Sequence, residues 1–172
     1  MKYIRETPQG RIVGKIVETE AYISNDPASH AFRGKTKRNS PMFGEAGTAY
    51  IYHIYGMYNC LNIVTQKENI GEAVLIRALE PLKGIKTMQK NRKTKEIKHL
   101  ANGPGKICMA LSINRDLNSI NLIDPKSPLK IEIPNEYHIK KEIIATKRIG
   151  ITNAKEVDLR FYIKDNLFIS KK

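Results

Sequence analysis

The 172-residue chain has no tryptophan and only two cysteines, Cys60 and Cys108. They form no C-x-x-C pair, which excludes a disulfide framework and points to a reducing, cytoplasmic setting. No apolar run is long enough to span a bilayer: the longest aliphatic stretch, Ala73 to Ile76, compares with the roughly 20 residues a spanning helix needs. Residues Met1 to Gly10 carry charges and a proline where a signal peptide requires an apolar segment. There is no G-x-G-x-x-G after a strand, no P-loop, no H-E-x-x-H and no EF-hand loop. The histidines (His30, His53, His99, His138) are scattered, and with two cysteines they make no zinc set. No metal or cofactor is implied. Neither repeats nor a low-complexity linker appear, so residues 1–172 read as one domain. A chain of this length buries about two-thirds of its unfolded surface without staples.

Acidic residues are also scarce. Lys and Arg number 30 against 17 Asp and Glu, a net charge of +13. With 41% hydrophobic and 27% charged residues, the chain is still rich enough in apolar groups to exclude wholesale disorder. The charge is unevenly spread. Between Pro81 and Arg115 lie Lys83, Lys86, Lys90, Arg92, Lys93, Lys95, Lys98, Lys106 and Arg115, with Glu96 as the only acid. A second cluster, Arg33, Lys35, Lys37 and Arg38, sits among the turn formers Gly34, Asn39, Ser40 and Pro41. Such clusters fit phosphate contacts to nucleic acid first and a membrane surface second; solvated charged faces look the same in sequence.

Hydrophobic patterning predicts strands over 11–23, 48–55, 59–65, 72–79, 129–133, 141–151 and 159–164. The second and third are joined as a hairpin near Gly56-Met57. Residues 24–47 read as a long polar loop, functional or mobile. Residues 82–95 read as a helix with Leu82, Ile85, Met88 and Gln89 on one face, and Ile107 to Leu111 as a short helix after Gly103-Pro104-Gly105. Without regular βαβ alternation, these elements predict an α+β domain: a curved, largely antiparallel sheet flanked by short helices.

Two constellations carry chemistry. Glu18 and Glu20 lie two apart in a strand and share a face, beside Tyr22. A carboxylate near an aromatic ring is a candidate general base; exposed carboxylates paired with lysines have the same spacing. Their separation, roughly 6.5–7 Å from the strand rise, also fits the carboxylate pair of a glycoside hydrolase. The second constellation is tyrosine: four of the eight, Tyr50, Tyr52, Tyr55 and Tyr58, fall within nine residues. Aromatics of this kind pack a core, line a pocket that stacks on an extruded base, or wedge into a duplex. Asn62 and Arg77 are polar residues in apolar strands, so each needs a buried partner or a site role.

Taken in order, these segments resemble the alkyladenine (3-methyladenine, N-methylpurine) DNA glycosylases. The resemblance runs through Gly14-Lys15-Ile16-Val17-Glu18-Thr19-Glu20-Ala21-Tyr22, Asp26 to Ala31, Thr36 to Asn39 with Met42-Phe43, and Tyr50 to Tyr58 leading to Asn62. It continues through Leu75 to Pro81, Gly103 to Lys106 and Leu159 to Tyr162, and so covers nearly the whole chain. It implies a monofunctional base excision repair enzyme that flips alkylated or deaminated purines out of double-stranded DNA and leaves an abasic site. On this resemblance Glu20 is the general base, and Arg77 with the backbone carbonyl of Ile149 holds the attacking water. Tyr22, His30 and Tyr52 sandwich the base, Asn62 lines the pocket against guanine, and Tyr55 and Met57 enter the duplex. Arg33, Lys35, Lys37, Arg38 and Lys106 are the expected phosphate contacts. Glu18 belongs to the motif without a chemical role. The family usually has a helical segment ahead of the first strand; here Met1 lies almost at that strand, so the segment is expected to be missing, either by truncation or in a naturally short protein. A monomer with no cofactor and no membrane attachment is the expectation, and a compact Thr152 to Asp158 loop bears on substrate range. A non-catalytic damaged-DNA-binding module is the alternative within the same resemblance.

Overall fold

A computed structural model describes residues 1–54, 56–132 and 142–171. Tyr55 and His138 therefore lie outside the described residues. Among the described residues, eight strands form one curled antiparallel sheet: β1 (Lys2–Thr7), β2 (Gly10–Tyr22), β3 (Ala49–Ile54), β4 (Tyr58–Val64), β5 (Ala73–Lys83), β6 (Leu129–Glu132), β7 (Ile143–Thr146) and β8 (Arg160–Ile163). The path is β3-β4-β5-β2-β1-β6, with β8 pairing β2 and β7 pairing β8. The helices α1 (Ile85–Arg92) and α2 (Pro104–Ala110) pack on it, giving the expected α+β fold.

Several strand boundaries differ from expectation. Residues Lys2–Thr7, read only as unfit for a signal peptide, form β1, because β2 on one side and β6 on the other satisfy both edges. Leu82 is 44% exposed at the end of β5 rather than on a helix face. The helix begins only after Gly84, whose φ of +77° turns the chain where a Cβ would lie 3.0 Å from the Arg11 carbonyl. Of the predicted strand over 141–151, residue 141 lies outside the described residues, and among the rest the strand is Ile143–Thr146, because the chain then turns back towards β2.

The sheet separates two apolar clusters by simple alternation. On one face Ile12, Ile51, Leu61, Ile76 and Leu79 pack with Met88 of α1 and Ile107 of α2. On the other, Tyr50 and Val64 pack with Ala31, Met42 and Ala73, bordered by Tyr22, Phe43 and Tyr52. In β2 the alternation is broken by design of the register. Ile16 faces Leu79 and packs on the first cluster, and regular spacing would send Glu18 and Glu20 after it into that apolar core. An extra residue, Val17, intervenes: Ile16 pairs Leu79, but Glu18 pairs the adjacent Ala78. Immediately afterwards β5 has its own extra residue, Arg77, between Ala78 paired with Glu18 and Ile76 paired with Thr19. Successive bulges thus put Glu18, Glu20 and Arg77 together on the face away from the helices.

Candidate active site

A cavity of about 430 Å³ opens on that second face. Its floor comes from β3, β4 and β5, where Tyr50, Tyr52, Cys60, Asn62, Leu75 and Arg77 alternate with core residues. Tyr22, Pro27, Ala28 and His30 form one side, and the segment Ile149 to Asn153 with Pro104 forms the rim. Thr152 and Asn153 thus bring the compact loop singled out in the sequence to the cavity mouth.

The aromatic walls are fixed by polar contacts. His30 Nδ1 lies 2.8 Å from the Tyr50 hydroxyl, and its ring meets Tyr52 edge-on at 4.5 Å between centroids. Burial, then the charge of Arg38, lowers the His30 pKa below its ordinary value, so the ring is neutral at pH 7. Burial pushes the Tyr50 phenol up to about 12 and the Tyr22 and Tyr52 phenols higher still, so all three remain protonated. The Asn62 amide donates to the Tyr50 carbonyl at 3.0 Å, the cross-strand partner that β3–β4 pairing sets opposite it.

The loop bearing His30 is tied down rather than loose. The buried Asn39 amide donates to the carbonyls of His30 at 2.8 Å and Gly34 at 3.0 Å, and its oxygen accepts from the Thr36 N–H at 2.6 Å. Asp26 accepts from the Ala28 N–H at 2.9 Å and forms a forked, fully buried ion pair with Arg148. The same guanidinium donates to the Ala21 carbonyl at 3.0 Å and lies 4.8 Å from the centre of the Tyr22 ring. One arginine therefore joins the His30 loop, the end of β2 and the chain leading into Ile149.

Behind the wall lies the charge cluster. Glu20, with no exposed surface, accepts from the Ile149 N–H at 2.7 Å and the Tyr22 hydroxyl at 2.9 Å, and faces Arg77 Nη1 at 3.3 Å. That Arg77 nitrogen also donates to the Ile149 carbonyl at 3.5 Å. Tyr22, Arg77 and Ile149 line the cavity while Glu20 sits one hydrogen bond behind them. Glu18 is equally buried, but its partners are Arg160 at 2.6 Å, Arg77 at 3.4 Å and Ser170 Oγ at 2.8 Å. It does not line this cavity, so the two acids are not presented to it as a glycosidase pair, and neither acid is an exposed partner of lysine.

Other expected site residues lie elsewhere. Met57 is 70% exposed on the β3–β4 turn beside Gly56, whose φ is +67°. Arg33, Lys35, Lys37 and Arg38 are all exposed, and Arg38 donates to the His53 carbonyl at 3.3 Å, next to the turn of that hairpin. Lys106 is half-buried and donates to the Asn102 side chain at 2.8 Å, two residues beyond Pro104 at the cavity rim. Sequence reasoning missed Arg148, Arg160 and Ser170. Arg148 had one signal, its place next to Ile149; Ser170 had none.

The family profile for methylpurine-DNA glycosylases matches residues 1–167. Among curated proteins, one from Francisella tularensis named "Putative 3-methyladenine DNA glycosylase" is 52% identical over 161 residues, covering 94% of this chain and 83% of that protein. Proteins of the same name from Methanoculleus marisnigri and Carboxydothermus hydrogenoformans are 50% and 47% identical, covering 92% and 98% of this chain and 83% and 87% of their own lengths.

Proposed function

The chain belongs to the methylpurine-DNA glycosylase family, DNA repair enzymes that hydrolyse the N-glycosyl bond, and we propose that it flips an alkylated or deaminated purine into the aromatic cavity and releases it with a water activated by Glu20. The observation that carries this reading is the convergence of Glu20 with Arg77 and the Ile149 backbone, which line a cavity walled by Tyr22, His30 and Tyr52.

The chemistry follows from the geometry. A glycosidic bond inside a stacked duplex is out of reach, and extruding the nucleotide costs a few kcal/mol, least for a damaged or mispaired base. An N-alkylated purine is cationic. The faces of Tyr22 and Tyr52 attract it by about 0.5–2 kcal/mol, and a neutral His30 adds no repulsion. The positive charge also makes the base a good leaving group. Glu20 Oε2, partnered only by the Tyr22 hydroxyl among the described residues, retains acceptor capacity, so a water between Glu20, Arg77 and the Ile149 carbonyl can give up its proton to the carboxylate. The hydroxide oxygen then bonds C1′ as the bond to the purine nitrogen breaks, and the carboxylate's charge stabilises the oxocarbenium character that develops. The products are free base and an abasic site, without a lysine Schiff base.

Met57, at the exposed hairpin turn, and Tyr55, two residues before it in the sequence, fill the gap in the duplex in this reading, and the loop cations Arg33, Lys35, Lys37 and Arg38 with Lys106 grip the flanking phosphates. The test is a base-release assay on duplexes carrying hypoxanthine, 3-methyladenine, 7-methylguanine or ethenoadenine. Release of at least one of these bases, with an alkali-labile site left in the strand, is the expected outcome. Tight lesion binding without release would favour a damaged-DNA-binding module instead.

A further inference from the structure

The C-terminal segment crosses behind the charge cluster and enters it. Asn166 is buried, donates to Glu80 at 3.1 Å and accepts from the Phe168 N–H at 2.9 Å; Ile169 is buried beside it. These contacts deliver Ser170 to the rear of Arg77. Its hydroxyl oxygen lies 3.4 Å from both Nε and Nη2 of Arg77, and the hydroxyl donates to Glu18 Oε1 at 2.8 Å. The Ser170 N–H donates to the other Glu18 oxygen. Glu18 in turn faces Arg77 Nε at 3.4 Å and is held by Arg160, which also donates to the Lys171 carbonyl.

We infer that Ser170 and Glu18 are positioning residues for Arg77, making the C-terminal segment part of the excision machinery. A guanidinium presents its donors in a fixed planar fork. Arg77 directs Nη1 forward to Glu20 and the Ile149 carbonyl, while Nε and Nη2 turn back to Ser170 and Glu18. Anchoring the rear edge of a planar group fixes its front edge. Arg77 needs such an anchor because it occupies a bulge, where the sheet ladder does not hold it. Ser170 is suited to the task because one hydroxyl accepts from the cation and donates to the anion at once. It lies past residue 167, where the family match ends, and gives Glu18, otherwise a motif residue without chemistry, a role one contact removed from the reacting atoms.

The proposal rests on Glu20 acting as the base, and the test keeps the two claims apart. Single-turnover base release and duplex affinity are measured for wild type, Ser170→Ala, Ser170→Thr and Glu20→Gln on a hypoxanthine duplex, with circular dichroism confirming each fold. Ser170→Ala is expected to slow release about three- to tenfold, the effect of one ordinary hydrogen bond. Its duplex affinity stays within about twofold of wild type, and Ser170→Thr, which keeps the hydroxyl, recovers most of the rate. An unchanged Ser170→Ala rate beside an inactive Glu20→Gln would overturn the positioning role and leave the Glu20 reading standing. So would a loss seen only in affinity, or one that Ser170→Thr fails to restore. Full activity in Glu20→Gln would overturn both.

Discussion

Two groups of charged residues in this protein differ in burial, pairing and balance of sign. Behind the cavity, the buried charged side chains among the described residues are Glu18, Glu20, Asp26, Arg77, Arg148 and Arg160, three of each sign. Each arginine there meets a carboxylate. Along Pro81 to Arg115, nine basic residues face one acid, seven of them are exposed, and among the described residues none pairs with a carboxylate. Among the described residues the buried charges therefore cancel, and the net positive charge lies outside the buried set. Buried charges require partners, because desolvating an unpaired one costs several kcal/mol, whereas surface cations are solvated and free to meet phosphates. The inner set orients groups; the outer set binds.

If that division holds, breaking an inner pair damages the fold, and removing an outer charge does not. The largest effect should come from Arg148→Met, which strands the buried Asp26 carboxylate and should cost about 3–5 kcal/mol in denaturant unfolding. Arg148→Met combined with Asp26→Leu should recover part of that loss. Failure of the double variant to recover anything would mean that packing, not charge, sets the cost.

Acid reaches the same pair more gently. Burial raises the Asp26 carboxyl, but the hydrogen bond from Arg148, that from the Ala28 N–H and the Arg148 charge outweigh it, so its pKa lies below the ordinary value of 3.8. A carboxyl held lower in the folded state contributes stability that is complete above its unfolded pKa, near 4, and is lost as pH falls through its folded value. The lowered His30 pKa acts earlier: the unfolded chain takes up a proton below about 6.5 while folded His30 resists it, so stability declines from there downward. Unfolding temperature against pH should show both declines, and His30→Asn should remove the first.

The cavity walls lie between the two groups. Tyr52→Leu should slow release of a cationic 7-methylguanine by about up to tenfold more than release of neutral hypoxanthine, because it removes an aromatic face from a cation. Equal losses would assign Tyr52 to shape alone. The smallest effects belong outside. Lys35→Ala or Lys37→Ala should each lower the log–log salt slope of duplex binding by about 0.9 per lost phosphate contact, with the single-turnover rate unchanged at saturating enzyme.

Legibility in the sequence follows the range of each interaction. Alternation is local, so the β3–β4 hairpin, the shared face of Tyr50 and Tyr52 and the kinship of Glu18 with Glu20 could be read directly. Which face the two acids take could not, because it is decided by extra residues at Val17 and Arg77 that appear only when β2 is laid against β5. Arg148 finds Asp26 across 122 residues and Ser170 finds Glu18 across 152, and no periodicity signals either pairing. β1 was hidden for another reason: only Tyr3 and Ile4 of its six residues are buried, and its neighbours rather than its composition make it a strand.

The division between orientation and binding is tested most directly by Glu20→Gln, assayed for both single-turnover release and duplex affinity. The substitution keeps the size of the side chain and removes its charge. The expected result is a loss of about 10²–10⁴ in rate with lesion-duplex affinity and salt slope close to wild type. A Glu20→Gln enzyme that releases base at the wild-type rate, or one that stops binding DNA, would contradict it.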